Sequence, residues 1–261
     1  YEAVHDIKSW ADVKNRLDSD RRCYGFFHPR LPDEPLIFVE VAFMNEIASS
    51  ISPLLDESAE AVDLSKATTA IFYSISNTQP GLKGVSFGDS LIKRVVETLR
   101  ADFPKLKTFA TLSPIPGFRS WLSKNASRML EATPEKMRAQ LGRAVGFEPA
   151  GAEHVLSALD LMPTLPEKSA LRQWLLACAA HYLGQELSES RPVDPVARFH
   201  LGNGARVEHI HWAADLSNKG VKQSFGLMVN YLYDLRKLDR HRLGLAQGRI
   251  PVSDDVQRLY F

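Results

Sequence analysis

Along the chain, apolar positions alternate between the period of a strand and the period of a helix. Residues 23–28 (CYGFFH) and 35–43 (PLIFVEVAF) are rich in β-branched and aromatic residues and flank the turn-like RLPDE, which predicts an antiparallel hairpin. Residues 45–57 carry a helical period, with Asn45 placed to cap it. TTAIFYSIS (68–76) is a nearly continuous apolar run of strand length, as a buried central strand requires. The loop NTQPGLKGVSFGD leads into SLIKRVVETLRADF, a helix with Leu91, Val95, Val96 and Leu99 on one side and Lys93, Glu97 and Arg100 on the other. LKTFATLSP (106–114) predicts another strand, stopped by Pro114 and Pro116.

Residues 120–190 hold four helical patterns separated by Thr133-Pro134, by Gly146 to Gly151 and by Pro163 to Pro166. They predict a helical insertion or lobe. DPVARFHLGNG (194–204) reads as a short helix with Asp194 as N-cap, Pro195 at the first helical position and glycines at its stop. VEHIHWAAD (207–215) predicts a strand, and residues 220–238 an apolar helix. This order suits an α/β or α+β fold, a mixed sheet flanked by helices.

Composition narrows the function classes. The chain has 261 residues, 44% hydrophobic and 24% charged, with a formal net charge of +1. That balance belongs to a globular protein without a global pull toward nucleic acid or membrane, so any anion site must be local. Cys23 and Cys178 lack metal-ligand spacing and form a poor disulfide framework, which favours a reducing compartment and a cytoplasmic location. No apolar run reaches the ~20 residues of a membrane-spanning helix. The start YEAVHDIKSW has neither an initiator Met nor an apolar signal core, so a preceding segment is expected. A mitochondrial leader upstream of residue 1 would be invisible in this sequence.

Gly81, Gly84 and Gly88, with Lys83 among them, lie between a buried strand and a helix. Such a loop lets backbone N–H groups approach a pyrophosphate, and Lys93 and Arg94 follow one turn later. It matches neither the P-loop nor the GxGxxG pattern, which removes nucleoside triphosphates and dinucleotides. The strand–loop–helix–strand order resembles the acyl-CoA-binding element of the GCN5-related acetyltransferase fold. There the loop holds the CoA pyrophosphate and the flanking strands splay to admit pantetheine.

Ser113 ends a strand beside that loop, where reacting groups sit in open α/β sheets, yet a turn serine before proline is the plainer reading. His200 lies between Phe199 and Leu201, as many structural histidines do. His209 and His211 share a strand face but lack a third metal ligand of matching spacing. Asp194 and Asp215 read as cap or turn residues, and Tyr231 and Tyr233 as a core stripe.

Together, YEAVHDIKSWADVKNRL, RRCYGFFHP, AIFYSISNTQPGLKGVSFGDSLIKRVV, LSPIPGF, FHLGNGA and KGVKQSFGLMVNY resemble successive blocks of the malonyl-CoA decarboxylase family. The resemblance covers essentially the whole chain and is weakest over residues 120–190. It implies a GCN5-related acetyltransferase-type catalytic domain over residues 1–261, without the family's helical N-terminal domain. It also implies a homo-oligomer, commonly a tetramer, assembled through that domain.

Carried onto this sequence, it implies Ser113 and His200 as the catalytic pair. Lys83, Gly84, Val85, Ser86, Phe87, Gly88 and Asp89 would line the malonyl-CoA site, with Tyr233 near the acyl group. Some members carry a carboxylate in this loop where Ser86 stands, a departure that counts against an acid role for that position. Malonyl-CoA would be the substrate and acetyl-CoA the product, with no metal or organic cofactor, because the thioester is its own electron sink. His200 is expected to protonate the carbanion because an ordinary histidine titrates near working pH. Ser113 is expected to position the malonyl group. An N-acyltransferase of the same fold, a serine hydrolase and a non-catalytic CoA-sensing module are the competing readings.

Overall fold

Proline and glycine divide the chain into short elements, and the computed structural model describes residues 4–5, 7–79, 81, 90–160 and 165–261. A short helix α1 (Trp10–Asn15) precedes the hairpin of β1 (Arg21–His28) and β2 (Leu31–Met44). One turn, α2 (Ser52–Leu55), comes before β3 (Thr69–Asn77), the helix α3 (Ser90–Asp102) and the strand pieces β4 (Thr108–Thr111) and β5 (Ser113–Pro114). Next come the helices α4 (Phe118–Ala132), α5 (Glu135–Val145), α6 (Ala152–Leu159) and α7 (Ala170–Gly184). A ribbon of β6 (Leu187–Ser188) and β7 (Arg191–Pro192) leads to α8 (Pro195–Gly202) and β8 (Arg206–His211). The chain closes with α9 (Asn218–Ser224), β9 (Met228–Leu232), α10 (Leu238–Ala246) and α11 (Asp254–Gln257).

The main sheet runs β1-β2-β3-β4-β9-β5, with β8 also on β9. Among the described strands only β3 and β4 pair in parallel, with α3 as their crossover, so the sheet is mixed, as expected. Alternation decides its faces. Ile37, Val39, Val41 and Phe43 of β2 bury in the larger core with the apolar stripe of α3, whereas Ala42 joins a smaller core on the opposite face. Lys93, Glu97 and Arg100 face solvent, as their spacing predicts.

Two expected helices take other forms. Residues 45–57 hold only α2, because Pro53 lacks an N–H and is tolerated only in the first turn. Residues 220–238 break into the end of α9, the strand β9 and the start of α10. Phe225 and Gly226 adopt left-handed φ values of 54° and 74°, which end α9 and turn the chain into β9. The strand expected over 106–114 is also split. β4 and β5 pair with β9 at separate points, Ala110 with Leu232 and Ser113 with Val229.

That split opens the sheet. β3 and β4 pair from Thr69 and Thr108 to Phe72 and Thr111, and the Leu112 N–H adds a last bond to the Phe72 carbonyl at 3.1 Å. Beyond this point β3 continues to Asn77, whereas Ser113 turns to β9. Tyr73 is an extra residue at the parting, since Val41 faces Phe72 but Glu40 faces Ser74. Such a bulge bends its strand and re-aims the side chains beyond it.

Candidate active site

Ser113 and His200, 87 residues apart in sequence, meet where the strands part, with Ser113 Oγ 3.4 Å from His200 Nε2. β5 brings the serine, and α8 brings the histidine over the same sheet face. The start of α8 is fixed by Asp194, whose carboxylate accepts the N–H groups of Val196 and Ala197, both at 2.9 Å. Tyr182 donates its hydroxyl to the same carboxylate at 3.3 Å. Burial raises the Asp194 pKa, and its hydrogen bonds offset this only partly. Gly204, just past the end of α8, has φ 87°, and a Cβ there would strike Leu238.

His200 is only 3% exposed. The Tyr231 ring stacks on the imidazole with centroids 4.7 Å apart, and the Tyr233 hydroxyl lies 2.7 Å from Nδ1. Burial pushes the His200 pKa down to about 3, so the expectation of a histidine titrating near working pH does not hold. The imidazole is neutral there, and its tautomer decides what it offers.

The hydrogen bonds indicate that tautomer. Ser113 donates its hydroxyl hydrogen to Thr111 Oγ1 at 2.8 Å, which leaves a Ser113 lone pair for an Nε2–H. Nδ1 is then the acceptor, and the buried Tyr233 hydroxyl donates to it. Neutral His200 thus points an N–H, not a lone pair, toward Ser113. The 3.4 Å separation makes this the loosest link and leaves the N–H available to a substrate.

Both residues line a cavity of about 260 Å³ in the opening between β3 and β5. Phe72, Ile75, Leu91 and Phe199 form apolar wall, and Ser74 and Asn77 add neutral polar groups. Among the described residues that line it, none is Lys, Arg, Asp or Glu. A larger hollow of about 630 Å³ at the other end of β4 is bordered by Arg100, Lys107 and Arg236 and contains neither member of the pair.

The other candidates are placed less centrally. Lys83, Gly84, Val85, Ser86, Phe87, Gly88 and Asp89 lie outside the described residues. Gly81, Lys93 and Arg94 are exposed. Tyr233 is 3% exposed and reaches the cavity through His200, rather than being itself among the described lining residues. His211 pairs with Asn230 and His209 with Asp255, and no group of three or more metal-type ligands occurs among the described residues. Asp215 accepts the Ser217 N–H at 3.0 Å, the turn role expected of it. Thr111 was not singled out by sequence, although its spacing from Ser113 puts both on one strand face. No helix among the described residues is long and apolar enough to cross a membrane.

Comparison with known proteins adds a family. Residues 1–260 match the family model described as malonyl-CoA decarboxylase C-terminal domain. Mitochondrial malonyl-CoA decarboxylase of Anser anser anser is 41% identical over 90% of this chain and 48% of its own length. The Mus musculus enzyme of the same name is 38% identical over 99% of this chain and 54% of its own. The chain thus spans about half the length of these curated relatives. The crystal structure of malonyl-CoA decarboxylase from Cupriavidus metallidurans superposes with a TM-score of 0.87 at 50% identity, covering 97% of this chain and 62% of that one.

Proposed function

The chain belongs to the malonyl-CoA decarboxylase family through its C-terminal domain, and from that premise we propose that it converts malonyl-CoA to acetyl-CoA and carbon dioxide. The observation that carries the proposal is the meeting of Ser113 and a neutral, buried His200 at the opening between β3 and β5. The cavity suits a small acyl group, and binding of the CoA handle by Lys83 to Asp89 belongs to the same proposal. Fixing that handle would hold the acyl group in its reactive twist.

In the reaction, the bond from C2 to the carboxylate breaks and its electron pair passes into the thioester, giving an enolate and carbon dioxide. The thioester is the electron sink, so the proposed step uses no metal or organic cofactor. The uncharged groups among the described lining residues favour this direction, since a localised carboxylate charge is lost while the new charge spreads onto the thioester oxygen. The His200 Nε2–H can meet that charge and then deliver its proton to C2. Neutral imidazole is a sufficient acid here because a carbanion is strongly basic. Tyr233 supports Nδ1 as the proton leaves, and the imidazole recovers a proton ultimately taken from water. One proton is consumed per turnover, which balances the conversion of an anionic carboxylate into neutral carbon dioxide. Ser113 holds the imidazole by accepting Nε2–H and so positions the malonyl group only indirectly, by fixing the acid it meets.

The test is incubation of the protein with malonyl-CoA alone, with quantification of acetyl-CoA, free CoA and carbon dioxide. Equal yields of acetyl-CoA and carbon dioxide support decarboxylation. Free CoA as the main product would point to hydrolysis, and an absence of turnover would remove the proposal. Assembly as a homo-oligomer and a cytoplasmic location belong to the same proposal, and sedimentation and fractionation respectively test them.

A further inference from the structure

Thr111 is completely buried at the end of β4, next to the parting of the strands. Its Oγ1 accepts the Ser113 hydroxyl hydrogen at 2.8 Å and the Tyr231 N–H at 3.1 Å. Its carbonyl accepts Asn230 Nδ2 at 2.8 Å. The last two contacts repair the ladder where β4 gives way to β5, and a purely structural residue would need nothing more. The Ser113 contact is different in kind. It directs the only hydrogen of Ser113 away from the cavity and leaves oxygen lone pairs facing it.

For a decarboxylation this direction has a consequence. A hydroxyl that donates to the malonyl carboxylate stabilises the charge that the reaction must lose. It would tighten substrate binding and raise the barrier together. A hydroxyl whose hydrogen is already engaged cannot do this, and it still accepts the His200 Nε2–H. We propose that Thr111 is a positioning residue that keeps the Ser113 hydrogen out of the cavity, so that the malonyl carboxylate is bound without a hydrogen bond from Ser113. The inference rests on the decarboxylase reading above.

Thr111→Val is nearly isosteric and removes the acceptor. It is expected to lower kcat and to tighten malonyl-CoA binding by about tenfold each, the scale of one hydrogen bond to a charged group. Acetyl-CoA has no carboxylate, and its affinity should not change. Thr111→Ser should restore both values. In a Ser113→Ala background, Thr111→Val should alter neither, because the freed hydrogen is no longer present.

Weaker malonyl-CoA binding by Thr111→Val, or the same loss of turnover with and without Ser113, would overturn the proposal. Should Thr111→Val not fold, the imidazole nitrogen NMR spectrum of the wild type decides. The Nε2–H tautomer of His200 is expected, and the Nδ1–H tautomer would require Ser113 to donate to His200 and would refute the idea. Calorimetric binding of malonyl-CoA and acetyl-CoA needs no turnover, so a failure of the decarboxylase reading is distinguishable from a failure of this one.

Discussion

Two polar clusters are buried against opposite faces of the same sheet, and they are held in different ways. On one face, Arg16 of the segment after α1 is 3% exposed and binds Asp12 at 2.9 Å, Glu40 of β2 at 3.2 Å and the His5 carbonyl at 3.1 Å. Burial works to raise the Asp12 pKa, but hydrogen bonds from Arg16 and from the Lys8 N–H overcome it and hold the carboxyl below its usual range. On the other face, Tyr233, His200, Ser113 and Thr111 are joined by hydrogen bonds between neutral groups. The charged cluster ties the N-terminal helix to the sheet. The neutral chain leaves one N–H loosely engaged at a cavity. A full charge buried in a core must keep its partners, whereas a neutral chain can give up one link to a substrate.

The largest expected contrast comes from removing the centre of each cluster. His200→Ala should lower turnover by about 10²–10⁴-fold, the usual range for a general acid, and leave CoA affinity nearly intact. Retained turnover in a steady-state assay would take histidine out of the mechanism. Arg16→Met should instead cost about 3–5 kcal/mol of stability, because Asp12 and Glu40 both lose the guanidinium that bonds them. Urea unfolding measures this, with turnover per folded molecule expected to stay close to wild type. Equal loss of activity in both variants would erase the distinction between a structural and a reactive cluster.

Two tyrosines, Tyr231 of β9 and Tyr233 just past its end, sharpen the same comparison at smaller scale. Tyr233→Phe removes the donor to Nδ1 and should slow turnover by about tenfold, the worth of one buried hydrogen bond. An unchanged kcat would show that the tautomer is not held by Tyr233. Tyr231 stacks on His200, but its hydroxyl is buried without a hydrogen-bond partner among the described residues. Tyr231→Phe should therefore leave stability within about 1 kcal/mol of wild type or raise it, as thermal unfolding would show.

Much of the frame was legible because its elements have clean periods. The hairpin of β1 and β2, the stripe of α3 and the cap at Asp194 follow from alternation, spacing and capping chemistry. β9 was missed as a strand because both of its faces are buried, so its apolar residues do not alternate with exposed polar ones, and a run broken only by Asn230 reads as part of an apolar helix. That miss hid more than an element. Tyr231 of β9 and Tyr233 just past its end both pack against His200, and this enclosure contributes to its low pKa. The meeting of Ser113 with His200 is a contact between distant segments that no local pattern encodes, and only the family resemblance anticipated it. Thr111 carries no sequence signal beyond its spacing from Ser113.

The central claim is that a histidine neutral throughout the working range carries the decarboxylation, and the pH dependence of carbon dioxide release at saturating malonyl-CoA tests it most directly. With His200 titrating at about 3 and not at the ordinary 6.5, it loses no N–H and gains no charge between about pH 5.5 and about pH 8. The predicted kcat is level across that interval. A limb centred near pH 6.5, with activity present only on its acid side, would show that the protonated imidazolium is the acting form and would contradict the account.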